Sequence, residues 1–268
     1  VPEIPDLEAI RRNLIPKVVG FPIIEAQTLR SKRVYPSSEA WLAGLEGKRV
    51  SSLSRRGKFT LFHLEDDGAL IAHMMLHGEM DWVPSAEATE KATIALLRFP
   101  SGNDLRFLDR SGWMRLTYVS PGQLSSVPEL NELGPDPFDA PGTPDYLRQI
   151  LSRFPGTAKY ALMDQKLVSG VGNAFSDEIL FCARILPTRK ANDLNEQETD
   201  LLSRCIPETL RWAIEESCRG MGESIRGEIR TYLRVHGKEG KPCPRCQGTV
   251  RRIVLEGRGS YFCPGCQK

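Results

Sequence analysis

Two Cys-x-x-Cys pairs close this chain, Cys243 with Cys246 and Cys263 with Cys266, and sixteen residues separate them. That spacing suits four thiolates converging tetrahedrally on one zinc ion, which fixes the local fold as a ribbon. The residues between predict a hairpin, with strands over 249–255 and 260–263 and a turn at Glu256-Gly257-Arg258-Gly259, where glycine supplies positive φ. Arg258 then stands at the tip of a metal-stapled hairpin. Two blander readings stay open, a pair of disulfides and a ribbon that only caps the fold. Arg251, Arg252 and Arg258, with almost no acid nearby, favour a nucleic-acid contact.

The formal net charge of +2 hides an asymmetry. Residues 220–268 hold ten Lys/Arg and four Asp/Glu, net +6, whereas residues 1–219 hold 26 against 30, net −4. An anionic partner therefore belongs on the C-terminal part, although basic strips at 30–33 and 55–58 interrupt the acidic part. Each strip alone is equally compatible with a solvated surface. At 268 residues, 40% hydrophobic and 26% charged, the chain suits two moderate cores plus the ribbon. No apolar run is long enough to cross a bilayer and the start lacks a signal-peptide pattern, so a cytoplasmic protein is expected. Cys182, Cys205 and Cys218 remain outside the ribbon, in helical patterns, and their odd number argues for reduced, buried thiols.

The first fourteen residues, VPEIPDLEAIRRNL, predict a helix with Pro5 in its first turn, acids complementing its positive end, and Leu7, Ile10 and Leu14 on the core face. From Pro22 to Tyr118 short alternating runs bounded by Gly, Asp and Ser predict antiparallel strands of a sandwich. Six prolines between residues 119 and 144, at 121, 128, 135, 137, 141 and 144, mark a linker with the domain boundary near 130. Helical periodicity returns with Thr143 as N-cap and Pro144 at N1, and again from about 157 to 163. Gly170 and Gly172 break it, and Asn173 is read as the cap of the next helix; such a turn offers backbone N–H groups and a helix dipole to a phosphate. A long helix over 192–219 follows, which Pro207 should kink or split.

Four separated stretches together resemble one family, the formamidopyrimidine-DNA glycosylase and endonuclease VIII group of base-excision repair enzymes. They are Pro2-Glu3-Ile4-Pro5, the Arg56-Gly57-Lys58 bend, DQKLVSGVGNAFSDEILF from Asp164 to Phe181, and the terminal CPRC…GRGSYFCPGC. The resemblance implies an α+β multidomain chain: an N-terminal β-sandwich with a leading helix (1–130), a helical helix-two-turn-helix domain (131–238) and a C-terminal zinc ribbon (239–268). DNA would bind between the halves.

The implied partner is double-stranded DNA carrying a damaged base or an abasic site, met by a monomeric, nucleoid-associated enzyme with one structural zinc. An α-amine titrates near about 7.7–8.0 against about 10.4 for lysine, so it suits imine chemistry at neutral pH. The resemblance makes Pro2 the nucleophile, Glu3 the general acid/base at the sugar, and Lys58 a phosphate contact that assists. Gly170, Gly172 and Asn173 would hold phosphates, and Arg258 would reach the minor groove or a phosphate. Lys159 is read as a further DNA contact.

Three departures bear on this reading. Val1 stands ahead of Pro2, either as a GTG start codon translated literally or as the mark of a relative that binds damage without cutting. The path from Gly220 to Cys243 is too short for the lid of the family's 8-oxoguanine enzymes. MLHGEM makes Leu76 the void-filling wedge with His77 beside it, and the short run Arg110-Ser111-Gly112-Trp113 leaves Arg110 matched by assumption. Oxidised pyrimidines are therefore at least as good a substrate class as oxidised guanine.

Overall fold

The computed structural model describes residues 1–139 and 143–268, so Pro141 of the expected linker lies outside the described residues. Two compact units form: Val1–Asn131 with Ser217–Ile229, and Glu132–Glu216 with Arg230–Lys268.

The first unit begins with α1 (Ile4–Val18). Glu3 caps it, and its N–H donates to the Asp6 carboxylate at 2.8 Å, so Asp6 completes a capping box. Leu7, Ile10 and Leu14 are buried as their spacing predicts. There follow β1 (Glu25–Thr28), β2 (Val34–Tyr35), α2 (Ser38–Leu45), β3 (Val50–Arg56), β4 (Phe59–Leu64), β5 (Ala69–His73), β6 (Gly78–Pro84), β7 (Thr93–Arg98), β8 (Asn103–Asp109), β9 (Arg115–Val119) and α3 (Pro128–Asn131). One sheet runs β1-β7-β8-β6 and the other β2-β9-β5-β4-β3. All pairings are antiparallel except the two-residue contact of β2 with β9, which is parallel. The core lies between the sheets, where Phe62 of β4 meets Phe107 of β8 edge-on at 6.3 Å. Met221 and Ile225, from the returning segment, complete that core.

In the second unit the proline-rich stretch is held rather than loose. Gly134 N donates to Gln165 O at 2.8 Å, and a Cβ on Gly134 would stand 2.4 Å from Lys166 O. The helices are α4 (Pro144–Leu151), α5 (Ala158–Met163), α6 (Asn173–Ala183) and α7 (Glu196–Met221). Thr143 and Thr157 cap α4 and α5 through their hydroxyls. Gly172 is the N-cap of α6, one residue before the expected Asn173. Pro207 lies inside α7, which remains one helix of 26 residues rather than two.

The ribbon is β10 (Arg251–Leu255) paired with β11 (Arg258–Phe262). Its turn is two residues, Glu256 and Gly257, both at positive φ, tighter than the four-residue turn expected. Arg258 is consequently the first residue of β11, opposite Leu255, not the hairpin tip. A second correction concerns the thiols: Cys182 of α6 and Cys205 of α7, with Cα atoms 5.8 Å apart, form a disulfide. The helices bring together two residues 23 positions apart, which counting cysteines could not reveal; Cys218 remains a free thiol.

Candidate functional site

In the first unit a cavity of about 310 Å³ opens beside the start of α1, lined by Val1, Pro2, Met74, His77, Glu79, Arg110 and Glu228, with others. Pro2 and Glu3 are both buried, and the Val1 amine lies 3.1 Å from Glu228 Oε1. Two of its lining residues, Glu79 and Arg110, belong to a network of two guanidiniums and three carboxylates. Arg226 donates to Glu79 at 3.1 Å, Asp81 at 2.9 Å and Glu90 at 2.6 Å, while Arg110 reaches Glu79 at 2.9 Å and Glu90 at 3.2 Å. Arg226 holds the Glu90 carboxyl below its ordinary range, and the acids in turn raise Arg226. Arg226 and Glu228 belong to the short path after α7. That path supplies Ile225, Gly227 and Glu228 to the cavity lining, while Arg226 ties it to Glu79, Asp81 and Glu90.

Lys58 follows Gly57, whose φ of 56° makes the β3–β4 turn. Strand register then sets Phe59 opposite His73, with ring centroids 4.2 Å apart. Burial, followed by the charges of Lys58 and Arg115, lowers the His73 imidazole to about 4, so at neutral pH it is an uncharged donor and acceptor beside Lys58. His73 was invisible in the sequence because only the β4–β5 pairing brings it to Lys58.

Two loops present apolar side chains outward. Leu76 sits between Met75 and His77, both at positive φ, and is 47% exposed. Trp113 is 57% exposed. The Ser111 hydroxyl donates to Leu76 O, joining the loops. The Asp109 carboxylate, fully buried, accepts from Ser111 N, Gly112 N and Met114 N at 3.0, 2.8 and 3.0 Å, so the β8–β9 loop is pre-set. Trp113 is a residue that sequence reasoning passed over; a tryptophan after Ser-Gly in a polar loop was the available signal.

In the second unit the glycine turn is braced from within. Gly170 N donates to Gln165 Oε1 at 2.8 Å, so this amide serves the turn and not an outside phosphate. Gly170 contributes its positive φ of 88° instead. Gly172, as N-cap, opens α6. Asn173 Nδ2 donates to Gly259 O at 3.0 Å, beside Arg258, so the turn and the ribbon hairpin meet. Lys159 departs from its expected role. Its side chain is 1% exposed and its Nζ donates to Asp177 Oδ1 at 2.5 Å, so it is a buried structural cation with no path to DNA.

The four ribbon sulfurs lie within 4.8 Å of one another, Cys243 to Cys266 at 3.8 Å and Cys246 to Cys263 at 3.5 Å. A tetrahedron built on Zn–S bonds of ~2.3 Å has edges of ~3.8 Å, so the thiols fit the ion. A Cβ on Gly248 or Gly265 would come within 3.3 or 3.4 Å of Cys246 Sγ, and glycine leaves that space to sulfur. The Gly248 backbone draws Cys246 down to about 7, whereas burial pushes Cys266 up to about 12. A dication turns this uneven set into four thiolates.

Three family models match the sequence in order. The formamidopyrimidine-DNA glycosylase N-terminal domain covers residues 1–116, the formamidopyrimidine-DNA glycosylase H2TH domain 133–224, and a zinc finger found in FPG and IleRS 240–268. The chain belongs to the formamidopyrimidine-DNA glycosylase family. Relatives named formamidopyrimidine-DNA glycosylase include one from Symbiobacterium thermophilum, 35% identical over all of this chain and 89% of its own length, and one from Bacillus licheniformis, 35% identical over 100% of both. The Lactococcus lactis formamidopyrimidine-DNA glycosylase bound non-covalently to DNA with an abasic site superposes with a TM-score of 0.91 at 30% identity, covering 99% of each chain. The same Lactococcus protein with an oxidised-pyrimidine DNA gives 0.92 at 31% identity over 100% of each. In formamidopyrimidine-DNA glycosylase terms, the zinc finger at 240–268 is the ribbon described above, and its four cysteines hold one structural zinc.

Proposed function

We propose that this chain is a base-excision repair glycosylase that releases oxidised bases from double-stranded DNA and then cleaves the abasic strand. The observation that carries the reading is Pro2 on the wall of a base-sized cavity, immediately before the capped start of α1. The relatives' name and the Lactococcus complexes with abasic-site and FAPY-dG DNA support the substrate class. Pro2's nitrogen, as a free secondary amine, attacks C1′ of the damaged nucleoside. The C1′–N bond breaks and the base leaves with its electron pair and a proton; the C1′–O4′ bond then opens, O4′ taking a proton, and the resulting iminium acidifies the C2′ proton, whose removal expels the 3′ phosphate. Glu3 acts as general acid/base at the sugar, and Lys58 meets a phosphate with His73 beside it. Leu76, Arg110 and Trp113 fill the space left by the extruded nucleotide, while Gly172, Asn173 and Arg258 serve the backbone. The enzyme works as a monomer in the compartment that holds the DNA.

A second reading rests on Val1. While Val1 is attached, Pro2's nitrogen is a tertiary amide with no lone pair for carbon, and the Val1 amine is engaged by Glu228; that form binds damage without cutting it. Borohydride trapping on abasic-site DNA, with intact mass of the same sample, separates the two. Trapping at Pro2 in protein lacking Val1, and none in protein retaining it, supports the glycosylase. Equal trapping by both forms would move the nucleophile elsewhere.

A further inference from the structure

α6 ends at Phe181, Cys182 and Ala183, and the far end of the ribbon is fastened there. Phe181 belongs to the ribbon's own core with Val235, Cys243, Val250 and Cys263. Arg245 lays its guanidinium 4.3 Å from the Phe181 ring and donates to Phe181 O at 2.9 Å. Just past the helix, Lys268 N donates to Arg184 O at 2.9 Å and Leu186 N to Lys268 O at 3.0 Å. Gln267, 2% exposed, donates to Ile185 O and accepts from Cys263 N, both at 2.8 Å. The bonds that leave the ribbon all land within 181–186, and within that run stands Cys182, joined to Cys205 of α7.

We propose that Cys182 and Cys205 form a thiol–disulfide exchange site whose oxidation state sets how firmly the zinc ribbon is anchored. The reacting partners are low-molecular-weight thiols and their disulfides. Cys205 is 2% exposed and Cys182 half-buried, so an incoming thiolate reaches Cys182. It bonds to Cys182 Sγ, the Cys182–Cys205 bond breaks, and Cys205 departs as a thiolate that takes a proton. A second thiolate then attacks the mixed disulfide, freeing Cys182 and forming the reagent's disulfide; two electrons pass from two thiols to the protein, and oxidation is the reverse. Closed, the bond fixes the last turn of α6 to α7; open, the ribbon's docking run loses that brace. Protein thiols that share a compartment with DNA meet a reducing pool, where a disulfide is more often a responsive than a permanent bond. The inference holds under either reading of Pro2.

The test uses full-length, zinc-loaded protein equilibrated across glutathione buffers, acid-quenched, alkylated and mapped by mass. Cys182 and Cys205 should gain label together as the buffer becomes reducing, and zinc transfer to a colorimetric chelator should become several-fold faster over the same range. Cys182→Ser with Cys205→Val, which keeps the buried volume, should transfer zinc at the fast rate in every buffer; Cys182→Ser alone serves if the pair does not fold. Cys218→Ser should behave as the parent. A pair that stays closed or stays open across all buffers, or zinc transfer indifferent to its state, would overturn the proposal.

Discussion

Lys159 and Asp177 form an ion pair at 2.5 Å with side chains 1% and 0% exposed, and the other carboxylate oxygen lies 2.7 Å from His236 Nδ1 and accepts from Tyr261 N at 3.1 Å. One carboxylate therefore gathers α5, α6, residue 236 and β11. Lys159→Ala leaves it buried without its cation, a change that costs ~3–5 kcal/mol. Calorimetry should show a large drop in melting temperature, with the DNA affinity of the folded fraction little altered. A stable but DNA-deficient Lys159→Ala protein would restore a direct contact.

Arg258 should behave in the opposite way. It is exposed at the start of β11, where truncation disturbs only the surface. Arg258→Ala should keep the melting temperature, weaken binding to abasic-analogue duplex, and lower the slope of log affinity against log salt by ~1. Titrations at several salt concentrations give both quantities.

Trp113 offers an indole on a loop already fixed by Asp109. Base stacking on an aromatic side chain is worth ~1–3 kcal/mol by alanine substitution, so Trp113→Ala should weaken abasic-site binding by that amount and barely affect the unmodified duplex. Loss of DNA-induced tryptophan quenching in the variant would assign the signal. Equal weakening on both duplexes would make Trp113 a general surface contact.

His73 ties stability to acid. Its folded value of about 4 lies below the ordinary 6.5, chiefly through burial. Between those limits the unfolded chain binds a proton that the folded protein refuses, so stability is full above pH 6.5 and declines as pH falls toward about 4. His73→Phe should flatten this segment of the urea-denaturation profile. A profile unchanged in slope would mean that His73 is accessible to protons in the native state.

What the sequence disclosed depended on distance along the chain. The ribbon ligands, the α1 stripe of Leu7, Ile10 and Leu14, and the Thr143 cap are local patterns, and each took its expected place. The burial of Lys159 is decided by Asp177, eighteen residues on, and the Cys182 bond by a helix 23 positions away. For Arg258, the difference between a two-residue and a four-residue turn moved the side chain from a tip to a strand.

The first unit takes Met221, the last residue of α7, and Ile225, just past it, into its core. Protein synthesis delivers them late. A nascent chain that has reached Asn131 holds every strand of the sandwich yet lacks part of its apolar filling, and must wait through some ninety further residues for it. Vectorial folding, in which the leading domain finishes first, is therefore incomplete here: the sandwich fills its core only once the segment after α7 has been made, and a gene cut at Asn131 encodes a sandwich without those two side chains.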